Sequence, residues 1–167
     1  MSLETTLQQI YDLPLSNAIR ENVNTFPLLE SFHVVAISIV FGTIMLVDLR
    51  LLGVAAHRSS AHRLSNELLP YTWGAFVVAV ITGAGLFISN AVSYVGNTQF
   101  LLKMAAVALA GLNMAWFHST TYRRIDQWDE DMPPPAAARL AGLVSLVTWT
   151  VVIFLGRWIG FTLETVF

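Results

Sequence analysis

The chain has 167 residues, of which 55% are hydrophobic and only 12% charged, against about 25% charged in an average soluble domain. At a mean hydropathy of +0.62 it carries more apolar surface than a core of this size can hide, which excludes a soluble globular domain and leaves lipid to solvate the surplus. The net charge of −2 with no basic stripe gives nucleic acid no footing, and the absence of cysteine removes disulfides, thiol catalysis, iron–sulfur clusters and thiolate metal sites.

Residues 1–26 are expected to form a short amphipathic segment on the outer membrane surface. Leu3, Leu7, Ile10 and Tyr11 recur at the spacing of one helical face. Leu13-Pro14 interrupts that face, and Ser16 is placed to cap a second short helix running to Glu21. No basic n-region and apolar h-region precede Pro27, so the first span is expected to act as its own insertion signal.

Residues 27–167 are expected to form the membrane domain, an all-α, antiparallel four-helix bundle. Uncharged stretches of 17, 35, 19 and 17 residues run over 31–47, 68–102, 104–122 and 140–156. With charged ends allowed to snorkel, they predict spans near 29–53, 70–93, 99–121 and 137–162, each close to the ~20 residues needed to cross the hydrocarbon. Alternating segments of a β-barrel are not seen. Pro70 fits the first turn of the second span, Val95-Gly96-Asn97-Thr98 a tight turn into the third, and Pro133-Pro134-Pro135 a stiff approach to the fourth. The small residues Gly42, Gly53, Gly74, Gly83, Gly85, Gly111, Gly142 and Gly156 suit close helix contact. Trp73, Trp116, Trp128, Trp149 and Trp158 mostly fall near span ends and read as interfacial belts.

Basic residues set the orientation. Arg50, Arg58, Arg63, Arg123, Arg124 and Arg139 flank the two longer connections, whereas Arg20, Lys103 and Arg157 lie on the other side. This places both connections in the cytoplasm and both termini outside.

Ionisable residues within the spans are the best pointers to function, since each is costly in hydrocarbon and faces a partner or a cavity. Depth sorts them into two layers. The outer layer holds Glu30, His33, Lys103, Met104 and Arg157; the inner one holds Asp48, Arg50, Asn113 and His118, with His57 and His62 just beyond. The inner layer can be read as a bis-histidine haem b site, with His118 facing His57 or His62, or as polar glue in which Asp48 pairs with Arg50 or accepts from His118. The outer layer can be read as a haem or metal site using His33 and the Met104 sulfur, with Lys103 and Arg157 neutralising propionates or another anion. Its alternative is a set of snorkelling anchors paired with Glu30. No phosphate loop, serine elbow or His-Glu-x-x-His motif supports an enzyme, and four spans without repeats strain a transporter reading.

Ser31-Phe32-His33, Phe41-Gly42, the run from Val47 through Asp48 and Arg50 to Gly53, Phe100 to Lys103, Asn113 with Phe117-His118, and Gly156-Arg157 together resemble a family of uncharacterised bacterial four-helix inner-membrane proteins. The resemblance covers nearly the whole chain and implies this fold and location, without an established activity. Its recurring polar positions fall on His33, Asp48, Arg50, Lys103, Asn113, His118 and Arg157. A fainter likeness to CopD-type copper-resistance membrane proteins carries no residues over.

The expectation that follows is a haem b binding protein of the bacterial inner membrane, periplasmic at both termini, passing electrons to a membrane or periplasmic redox protein. The alternatives are a non-catalytic anchor or accessory subunit held together by its polar layers, and a small-ligand or metal-ion carrier. A homo-oligomer or a larger complex is expected in each case.

Overall fold

The computed structural model describes residues 3–54, 60–128 and 133–163. Their architecture is all-α. Two short helices, α1 (Leu3–Tyr11) and α2 (Pro14–Glu21), precede α3 (Thr25–Leu51), α4 (Ala61–Ser89), the short α5 (Ala91–Gly96), α6 (Thr98–Ser119), a 3-10 turn over Tyr122–Gln127, and α7 (Ala136–Thr162). The helices α3, α4, α6 and α7 are each long and apolar enough to cross a membrane. Val34, Val35, Val77, Ile81, Leu112 and Phe154 are exposed along them, as the lipid-facing surface of a multi-pass membrane protein requires.

Pairs of contacts fix the helix directions. His33 meets Ala79 and Thr82 while Thr43 meets Thr72, so α3 and α4 are antiparallel. Asn97 bonds Thr162 and Asn113 bonds Ala141, so α6 and α7 are antiparallel as well. The close neighbours are α4 with α3, α3 with α7, and α7 with α6. The helices α4 and α6 do not pack closely on one another among the described residues.

Two apolar clusters hold the bundle, one at an end and one across the middle. Leu51, Ala61, Phe117, Ile125, Trp128, Ala138 and Ala141 close the end that carries the connections after α3 and α6, the loop end. Val40, Ala75, Ala110, Trp149 and Val152 pack across the middle. Trp128 and Trp149 are therefore buried, Trp116 and Trp158 are exposed toward the ends of their helices as belt residues would be, and Trp73 is exposed near the middle of α4. The correction has a simple cause: position along a span does not tell which way an indole points.

At the opposite end, α1 and α2 fold back as a cap, and the last residues of α7 reach the same end through Thr162. Ser16 is not a helix cap. Pro14 opens α2 after Leu13, and the Ser16 hydroxyl, fully buried, donates to the Ile88 carbonyl at 2.7 Å. Arg20 donates to the Tyr11 carbonyl, the Ser16 hydroxyl, the Asn17 side chain and the Ser89 carbonyl, with its guanidinium over the Tyr11 ring. Leu7 is buried beneath this cap, while Leu3, Leu13, Leu15 and Val23 are exposed.

The second long helix starts nine residues before Pro70, at Ala61, with the Ser60 hydroxyl accepting from the Arg63 amide. Pro70 lies inside α4, where it removes one backbone donor. Before α6 the chain forms α5 rather than a bare turn, and the Asn97 side chain caps α6 by accepting from the Phe100 amide. The end of α3 is closed by Gly53 at φ +72°: the Gly53 amide donates to Arg50 O and the Val54 amide to Leu49 O. That left-handed residue is one a glycine adopts without strain.

Candidate functional site

Between the two apolar clusters the four long helices line a partly open cavity of about 170 Å³. Its walls are mainly apolar, with a few polar groups at the level of Asp48: Ser65 from α4, Asn113 and His118 from α6, and Ser145 from α7. A mostly apolar concavity with a small number of placed polar groups has the chemistry of a ligand site.

Asp48 is the unusual member. It is 4% exposed, and its Oδ2 is buried without a hydrogen-bond partner. The Ser145 hydroxyl lies within hydrogen-bonding reach of the same carboxyl. Buried polar atoms are nearly always paired, and leaving one unpaired costs about 1–3 kcal/mol. The backbone around Asp48 is tightly held, because Gly142 brings α7 against it. A Cβ on Gly142 would stand 3.1 Å from the Asp48 carbonyl oxygen and 3.1 Å from Leu51 Cβ.

The other inner-layer residues surround this point. Asn113 donates from Nδ2 to the Ala141 carbonyl at 3.0 Å, which ties α6 to α7. Arg50 is buried at the loop end of α3. His118 Nδ1 is 3.0 Å from the Met114 carbonyl, an acceptor, so this nitrogen donates to it. The Tyr122 ring packs against both His118, at 4.9 Å between centroids, and His62, at 6.0 Å. Asn66 Nδ2 lies 3.1 Å from His62 Nε2, which accepts from it. The structure thus gathers His62 and His118 around one aromatic ring. His57 lies outside the described residues.

The outer layer divides. His33 turns toward α4: its Nδ1 donates to the Ala79 carbonyl at 2.9 Å and lies 3.1 Å from Thr82 Oγ1. Gly83 makes room for that ring, since a Cβ there would lie 3.0 Å from His33 Cε1. Lys103 is within electrostatic reach of His33, and its amine lies along α7 at Gly156. Met104 is 43% exposed, and Arg157 is exposed with its guanidinium over the Phe161 ring. Glu30 is exposed too and acts on Tyr94 of α5, whose phenol is pushed above its usual range by burial first and by the Glu30 charge second.

Among the described residues no group of three or more His, Asp or Glu side chains converges as a metal centre does. The neutral cavity residues Ser65, Thr72 and Ser145 carried no sequence signal, because hydroxyls are common inside apolar helices and bond their own backbone.

A family described as of unknown function, DUF6644, matches residues 22–162. No curated protein and no solved structure matches the chain, so the copper-resistance likeness finds no support in these comparisons.

Proposed function

The chain belongs to that family of unknown function, and we propose that it is a membrane-embedded binding protein whose site is the Asp48 cavity and whose ligand is a small, largely apolar molecule. The observation that carries this reading is Asp48, which lines a cavity of about 170 Å³ and whose buried Oδ2 has no hydrogen-bond partner. A turn of the Asp48 side chain toward the cavity would let a bound polar group supply the missing hydrogen bond, while the apolar lining takes the rest of the molecule. The volume is close to that of engineered cavities of ~150 Å³ that take up benzene, and this supports a small-ligand carrier over a bundle that is only an anchor.

A redox protein carrying haem b is the second reading. It is favoured by one observation: His118 lines the cavity, and its bond to the Met114 carbonyl engages Nδ1 and leaves Nε2 as the atom for an axial bond. In that case the protein passes electrons to a membrane or periplasmic partner. In both readings the loop end faces the cytoplasm of a bacterial inner membrane and both termini face the periplasm, an orientation that the distribution of basic residues favours.

Absorption spectroscopy followed by solvent extraction separates the two. Purified protein with a small apolar compound bound in stoichiometric amount and no Soret band supports the carrier. A Soret band lost in His118→Ala replaces it with the haem reading, and neither a compound nor a band rejects both.

A further inference from the structure

On one side of the cavity the backbones of the flanking helices stand apart. Its back is closed by α3 and α7, which approach to backbone contact at Gly142, and its two ends are closed by the buried clusters around Leu51 and Val40. The remaining side lies between α4 and α6, which both line the cavity and whose backbones stand apart, although Ala75 and Ala110 share a cluster at mid-helix and Phe87 stacks on Phe100 toward the cap end. Residues on this side are at once lining and exposed: Trp73 of α4 is 47% exposed and Met114 of α6 is 40% exposed. Gly111 also lies on this rim, with nothing within 4 Å of where its Cβ would be. In a spanning bundle, a rim at mid-helix level faces hydrocarbon rather than water.

We propose that the seam between α4 and α6 is a lateral doorway through which a hydroxyl-bearing, ring-sized head group enters from the bilayer to bond Asp48, its apolar tail remaining in lipid. This rests on the binding function proposed above and adds the route and the chemical class. A hydroxyl suits the site because it both donates and accepts, and so pairs with a carboxyl oxygen in either of its protonation states. The cavity holds about one ring, so a longer molecule must leave its tail outside, and the side on which Trp73 and Met114 are both lining and exposed opens to lipid.

The test uses the full chain in phosphatidylcholine nanodiscs and a para-alkylphenol with a photoreactive diazirine in its alkyl chain. A sulfonated, membrane-impermeant analogue with the same photoreactive group is the comparison. The alkylphenol is expected to label Trp73 or Met114, and the sulfonated analogue to leave them unlabelled. Gly111→Trp, which fills the rim from a position with free space, should reduce labelling about tenfold, whereas Gly111→Ala should label like the parent. Met114→Trp obstructs the same rim from a different residue and should act in the same direction if Gly111→Trp folds poorly. Equal labelling by both probes, unaffected by either tryptophan, overturns lateral entry while leaving binding in the cavity intact. Absence of labelling by both probes overturns the binding function and this inference together.

Discussion

Gly142 and Asp48 stand in backbone contact: a Cβ on the glycine would meet the Asp48 carbonyl oxygen at 3.1 Å. The approach of α7 to α3 is therefore set at the level of the unpaired carboxyl. Gly142→Ala must push the helices apart, and an expected destabilisation of about 1–3 kcal/mol follows from the cost of overpacking. Gly111→Ala meets open space and should leave stability unchanged. Thermal unfolding of both variants in detergent checks the contrast.

His33 serves as an interhelical link through Ala79. Replacement by Leu removes that bond and should cost about 0.6 kcal/mol, the mean for such contacts in a membrane bundle, while Gln keeps a donor and should cost less. Gly83→Ala should be the more damaging change, since its methyl would press on the imidazole. A His33→Gln protein that unfolds earlier than His33→Leu would contradict the link.

The cap made by α1 and α2 hangs on Arg20. Its guanidinium bonds carbonyls of α1 and α4 as well as Ser16, so Arg20→Ala should free the cap from the end of α4 while the four spans remain folded. Hydrogen exchange is expected to rise over residues 3–21 alone. Uniform protection equal to the parent would show that Leu7 and Ile19 hold the cap without it.

Both described ends of the chain lie at the cap end, so a single membrane sidedness covers them. The chain lacks cysteine, which makes Val23→Cys and Thr120→Cys clean reporters, both at exposed positions. An impermeant thiol reagent added to intact cells should label Val23→Cys only, and labelling of Thr120→Cys alone would invert the orientation.

The spans were legible because continuous apolar runs need only counting. The start of α4 was not: Ala61–Leu69 contains His62, Arg63, Asn66 and Glu67 and looks like a loop, yet Ala61 and Ser65 are buried while the charged residues point outward. An amphipathic first turn and a mid-helix proline conceal one another in sequence. Depth likewise placed Asp48, Asn113 and His118 together, and His33 with Lys103, correctly along the helix axis. It carries no rotation about that axis, which is why Met104, Arg157 and Glu30 share the outer level but face away. Ser145, which lies beside Asp48, could not be singled out from a span rich in hydroxyls.

The central claim is that Asp48 holds a ligand in the cavity. Native mass spectrometry of the parent and of Asp48→Leu, both released gently from the membrane, tests it most directly. The parent is expected to carry one small molecule per chain, and Asp48→Leu to lose at least about tenfold of that occupancy, the loss expected when a hydrogen bond to a buried carboxyl is removed. Glu67→Gln, altering an exposed carboxylate paired with Arg63 at 2.9 Å, should retain it. Equal occupancy in the parent and Asp48→Leu, or a bare parent chain, would contradict the account.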